Sequence, residues 1–156
     1  MTIAIGADHG GYRLKIQIVE FLKELRYPVN DLGTYSEEPA DYPDYARAVA
    51  REILLKQADR GILICGSGVG ACVAVNKFPG IRAAICHDTF SAHQGVEDDN
   101  INILCLGARV IGNELAKDII RVYLSASFSG AERHRRRLDK VEEIEKEFLS
   151  KSNTFP

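Results

Sequence analysis

Short apolar runs alternate with helix-patterned stretches along this chain, and that alternation predicts an α/β fold built on a parallel sheet. Five runs read as strands: Ile3–Gly6, Val29–Leu32, Ile62–Cys65, Ala83–Cys86 and Ile103–Leu106. They are almost continuously apolar, the pattern of strands buried on both faces. Together these observations predict a Rossmann-like three-layer α/β/α sandwich with a five-stranded parallel sheet. In such a sandwich the functional site lies beyond the carboxyl ends of the strands.

Taken in order, the first strand runs into Asp8-His9-Gly10-Gly11, where Asp8 suits a helix cap and His9 sits in the turn. Leu14, Ile18, Phe21, Leu22 and Leu25 then recur at helical spacing. After the second strand, Tyr42-Pro43-Asp44-Tyr45 leads into a helix with Pro43 near its first turn. Its apolar face is Ala46, Val49, Ala50, Ile53 and Leu54. The third strand ends at Cys65, and the glycine-rich turn Gly66-Ser67-Gly68-Val69-Gly70 leads into an apolar helix-like stretch. His87-Asp88 closes the fourth strand, His93 falls in the helix after it, and Glu97-Asp98-Asp99-Asn100 forms the loop before the fifth. Leu115, Ile119, Val122 and Tyr123 mark a further helix. Leu138, Val141, Ile144 and Phe148 mark the last, which begins near Ser129-Gly130.

With 156 residues, 46% hydrophobic and 27% charged, the chain predicts one globular domain over residues 1–150, with residues 151–156 as a frayed tail. A formal net charge of −2 gives no general pull toward nucleic acid or membrane. No apolar stretch approaches the ~20 residues of a membrane span, and Met1-Thr2-Ile3-Ala4-Ile5 lacks a basic leader start. The four cysteines, Cys65, Cys72, Cys86 and Cys105, have no metal-ligand spacing. They read as reduced thiols of a cytoplasmic protein, with neither metal nor cofactor expected.

Cys65 differs from the other three because glycines surround its exit from the strand. A thiol there faces backbone N–H groups at a helix start, which favour a thiolate and stabilise an anion forming beside it. The bland alternative is a tight strand-to-helix turn without a ligand, and it gives the thiol no task. Gly66, Gly68 and Gly70 could instead belong to a dinucleotide fingerprint with Asp88 on a ribose. However, the spacing is G-x-G-x-G rather than G-x-G-x-x-G, and it follows the third strand. Arg133-His134-Arg135-Arg136-Arg137 is the one dense basic cluster. Acidic Asp139, Glu142, Glu143 and Glu145 follow it, so it makes a poor nucleic-acid stripe. Arg133 and Arg137 stand four apart near a helix start, on one face, where two guanidiniums suit a phosphate.

Several separated motifs together resemble the type B ribose-5-phosphate isomerases, within the wider family that includes galactose-6-phosphate isomerase subunits. They are Gly6-Ala-Asp-His-Gly10, Asp31-Leu-Gly-Thr-Tyr35, Asp41-Tyr-Pro43, Ile64-Cys-Gly-Ser-Gly-Val-Gly70, Asn76-Lys77, Gly107-Ala-Arg109 and Arg133-His-x-x-Arg137. The resemblance covers residues 3–148. It implies metal-independent aldose–ketose isomerisation of a sugar phosphate, ribose 5-phosphate to ribulose 5-phosphate, through a cis-enediolate. Cys65 matches the family's base, Ser67 and the backbone of Gly66, Gly68 and Gly70 its anion hole, and Asp8 a substrate-hydroxyl contact. His9, Arg109, Arg133, His134 and Arg137 match positions associated with the phosphate. The resemblance also implies a homodimer or tetramer whose site is shared between subunits.

The chain departs from the pattern before the fifth strand. Many relatives carry a His there, often followed by Asn, and the His opens the furanose ring; this chain has Asp98 and Asp99. Asp98 takes the ring opener's place as a catalytic candidate and could still shuttle a proton, although an aspartate with its ordinary pKa of about 3.9 is a poor acid near neutrality, and Asp99 takes the neighbouring substrate-binding place. A tetrose 4-phosphate cannot close a furanose and needs no ring opener, so a tetrose 4-phosphate or hexose 6-phosphate substrate stands as the alternative. A non-catalytic sugar-phosphate or nucleotide-binding module is the reading from another class.

Overall fold

A computed structural model describes residues 1–150, and the expected frayed tail at 151–156 lies outside them. The strands are β1 (Ile3–Ala7), β2 (Val29–Asp31), β3 (Arg60–Cys65), β4 (Ala83–Ile85) and β5 (Ile103–Gly107). The helices are α1 (Tyr12–Glu24), α2 (Tyr42–Leu54), α3 (Val69–Val75), α4 (Thr89–Asp99), α5 (Asn113–Ser125) and α6 (Glu132–Ser150). All strand pairs are parallel, in the order β2-β1-β3-β5-β4. This is the α/β/α sandwich that the alternation of elements predicts, with strand ends shifted by a residue or two.

Side chains of the central strands alternate between two cores, as the two-residue period of a strand requires. Ile3, Ile5, Ile62, Ile64, Leu104 and Leu106 face α1, α4 and α5. Ala4, Leu63, Cys65, Ile103 and Cys105 face α2 and α3. Strands β1, β3 and β5 are buried throughout or nearly so, whereas the edge strands β2 and β4 are only half buried. The apolar runs of the central strands therefore have a direct cause: both faces are covered.

Helix α6 lies outside this sandwich and packs on α4. Its apolar positions Val141, Ile144 and Phe148 are 53%, 59% and 51% exposed, so the amphipathic pattern read in the sequence marks a face this chain does not bury. Among the described residues no helix is long and apolar enough to cross a membrane.

Candidate active site

The chain leaves β1 toward β2 on one side and enters β3 on the other, which makes the gap between the ends of β1 and β3 a topological switch point. Asp8 and Cys65 stand at that gap. Asp8 is buried, and its Oδ1 accepts the Gly11 N–H at 3.1 Å, so it holds the turn into α1. Glycine is needed at position 11 because a Cβ there would lie 2.3 Å from the Ile64 carbonyl oxygen. The close approach brings the start of α1 against the end of β3, next to the thiol.

Cys65 is buried, and its Sγ accepts the Gly68 N–H at 3.1 Å. Gly68 has φ +83°, a left-handed conformation that turns its N–H back toward the sulfur. Ser67 is exposed at the tip of the turn, and its Oγ accepts the Val69 N–H at 3.3 Å. The β5 end locks the turn from the far side, with Ala108 N–H donating to Cys65 O at 2.9 Å and Arg109 N–H to Gly66 O at 3.0 Å. A Cβ at Gly66 would stand 3.5 Å from Arg109 Nε, so the arginine side chain runs along the turn. On the other flank, a Cβ at Gly70 would meet the Tyr42 ring at 2.9 Å.

Beside the turn opens a cleft of about 480 Å³ lined by His9, Arg13, Glu37, Arg109 and Asn113. His9 is exposed, and its Nδ1 lies 3.1 Å from both the backbone N and O of Ala40, which fixes the ring plane. Arg13 pairs with Glu37 through two hydrogen bonds, and they hold Glu37 below the ordinary carboxylate range. Arg109 and His9 remain to meet an anion, and the starts of α1 and α5 border the same cleft.

The remaining expected site residues gather elsewhere. Register pairs Ile103 with Gly61 at the amino end of the sheet and Gly107 with Cys65 at the carboxyl end. Four rises of a strand span about 13 Å. Asp98 and Asp99, expected in a loop, instead form the last turn of α4, just before β5, and so lie at the amino end, away from Cys65. His134 is 3% exposed, on α6, with its Nδ1 2.7 Å from Ser129 Oγ and 3.4 Å from Asp98 Oδ1. Arg137 and Asp99 line a groove of about 700 Å³ with Leu138, Val141, Ile144 and Phe148. A single chain therefore brings Asp8, His9, Cys65, Gly66, Ser67, Gly68, Gly70 and Arg109 together, and gathers Asp98, Asp99, Arg133, His134 and Arg137 apart from them.

Other residues take structural tasks. His87 Nε2 accepts the Gly107 N–H at 2.9 Å, which secures the end of β5. Asp88 caps α4 through Ser91 N–H at 2.7 Å, so its carboxylate is engaged where the dinucleotide reading would have it bind a ribose. His93 faces Glu97 at 3.4 Å on the exposed side of α4. Three residues near the site were not visible as candidates in the sequence: Arg13, Glu37 and Tyr42. Tyr42 alone carried a signal, as the aromatic between Asp41 and Pro43.

A buried thiol in a glycine-rich turn, at the switch point and beside a basic cleft, defines an α/β enzyme acting on a small anionic ligand. The chain belongs to the ribose/galactose isomerase family, whose model matches residues 3–141, and it is an isomerase. It is 46% identical to ribose-5-phosphate isomerase B of Escherichia coli, over 92% of this chain and 95% of that one. It is also 46% identical to D-erythrulose-4-phosphate isomerase of Pectobacterium atrosepticum, over 83% of this chain and 86% of that one. The solved ribose-5-phosphate isomerase B of Clostridium thermocellum superposes with a TM-score of 0.93 at 49% identity, covering 95% of this chain and 99% of that one.

Proposed function

We propose that this chain interconverts ribose 5-phosphate and ribulose 5-phosphate, with Cys65 as the base that moves a proton between carbons 2 and 1 through a cis-enediolate. The observation that carries this reading is the Gly68 N–H aimed at Cys65 Sγ, beside a basic cleft. A carbon acid next to a carbonyl is too weak for an ordinary base, so the enediolate oxygen needs fixed donors as its charge develops. The turn over Gly66, Ser67 and Gly70 supplies them without reorganisation, while the Gly68 N–H stays on Cys65. His9 and Arg109 hold the phosphate, and that remote binding energy aligns the reacting carbons. Asp8 orients a sugar hydroxyl.

The functional unit is a homodimer, or a tetramer built from it, in which a second copy contributes Asp98, Asp99, Arg133, His134 and Arg137 to the rim of the first. The separation of the two groups within one chain supports this, as does the uncovered apolar face of α6 beside Arg137. Four unpaired cysteines fit a cytoplasmic setting.

A second reading keeps the reaction and changes the sugar to a tetrose 4-phosphate. Asp98 at the ring-opening position favours it, and a relative named for a tetrose phosphate is as close in identity as one named for the pentose. The test is turnover of ribose 5-phosphate and of erythrulose 4-phosphate by the purified protein, with and without a chelator. Faster turnover of the pentose, unaffected by chelator, supports the main reading. Turnover confined to the tetrose replaces it with the second, and loss of activity with chelator refutes the metal-independent mechanism.

A further inference from the structure

We infer that Asp98 and His134 are positioning residues that aim Arg133 at the substrate phosphate, and that Asp98 does not act as the acid or base that opens a ring. This rests on the isomerase reading above. The imidazole of His134 is 3% exposed and engaged at both nitrogens. Arg133 Nε–H donates to His134 Nε2 at 2.9 Å, so Nε2 carries a lone pair and the proton of a neutral ring sits on Nδ1. That proton points to Ser129 Oγ at 2.7 Å, with Asp98 Oδ1 3.4 Å away. A carboxylate beside Nδ1 fixes this tautomer, as carboxylate–imidazole pairs do elsewhere.

Asp98 is itself held. Gln94 Nε2 donates to its Oδ2 at 2.9 Å, and Ser129 N–H donates to the neighbouring Glu97 carbonyl at 3.0 Å. Both carboxylate oxygens thus face protein groups of the α4–α6 junction, a poor arrangement for shuttling a proton to a sugar. The order Asp98, His134, Arg133 instead runs from a fixed charge through a buried ring to an exposed guanidinium. Among the described residues the terminal nitrogens of Arg133 hold no other hydrogen bond, which leaves them for an anion.

Steady-state kinetics with Asp98→Ala and Asp98→Asn, alone and combined with Arg133→Ala, test the assignment, with circular dichroism reporting the fold. Asp98→Ala should raise KM for the sugar phosphate roughly tenfold, the worth of one hydrogen bond to a charged group, while kcat falls less than about threefold. Asp98→Asn keeps a carbonyl oxygen beside Nδ1 but cannot exchange a proton, and it should restore most of the lost affinity. In the Arg133→Ala background, Asp98→Ala should add nothing. Equal loss of kcat in both variants at unchanged KM would mark Asp98 as a proton-transfer group and overturn the assignment. Full additivity with Arg133→Ala would overturn it as well. If the wild-type protein turns over neither sugar, the isomerase reading fails separately. Calorimetric titration with inorganic phosphate then decides: weaker binding by Asp98→Ala, recovered in Asp98→Asn, supports the assignment, and equal binding overturns it.

Discussion

Replacing Lys15 by methionine removes a lysine buried in the core. Lys15 is 1% exposed on α1, its Nζ lies 2.5 Å from Asp31 Oδ1, and the Tyr35 ring is centred 4.9 Å away. Asp31 also accepts the Gly33 N–H at 3.1 Å, so the ion pair shapes the loop after β2. That loop braces the strand just before Asp8, through Ala7 N–H to Gly33 O and Thr34 N–H to Ala7 O, both at 2.7 Å. Orphaning one partner of a fully buried pair costs about 3–5 kcal/mol. The Asp31 side chain is 30% exposed, so water partly solvates the orphan and the expected cost drops to roughly 2 kcal/mol. For a chain of this size that lowers the melting temperature by about 4–8 °C. Thermal unfolding of Lys15→Met, Asp31→Asn and the double variant measures it, and the double variant should recover at least half of the loss. A melting temperature within about 1 °C of wild type, or strict additivity of the two single changes, would rule out a stabilising Lys15–Asp31 pair.

Hydrogen bonds with Cys105 and Asn76 pull the Cys72 thiol down to about 7 against the opposing effect of burial, whereas Cys105 is pushed well up. A lowered pKa means thiolate at lower pH, so alkylation of the Cys72 peptide should rise through pH 7 and level off above it. Mass spectrometry after timed iodoacetamide treatment reads this, and a rise centred near pH 9 would contradict it. Gly68→Ala places a Cβ at φ +83°, costing about 1–2 kcal/mol, and 3.1 Å from the Leu106 carbonyl carbon. The turn must shift and release Cys65, so kcat should drop at least tenfold while the fold survives; unchanged kcat would remove the turn from the chemistry. Arg137→Ala should raise KM with little change in kcat, and an unchanged KM would take it out of the phosphate site.

Much of the fold was legible because burial on both faces leaves a strong mark on β1, β3 and β5. The edge strands β2 and β4 were read from shorter apolar runs, a weaker mark because each has only three residues and is half buried. Lys15 could not be read as core: a lysine in a helical pattern counts as exposed until a partner 16 residues on is brought beside it. The α6 stripe was legible as amphipathic, but what it faces was not, because pattern reports an apolar side and not its neighbour. At the site, the rim residues announced themselves as strand-end chemistry, helical spacing pointed Arg133 and Arg137 toward a phosphate, and motif resemblance carried Arg109. The pairing of Asp98 with His134 left no trace in sequence because it depends on how α6 lands on α4.

The proposed isomerisation depends on Cys65 as the base that moves the sugar proton. In deuterated water, wild-type protein with ribose 5-phosphate should place solvent deuterium at the carbon next to the carbonyl, visible by proton NMR. Folded Cys65→Ala should place none over the same period. Exchange that persists in Cys65→Ala would contradict the account by assigning the proton to another base.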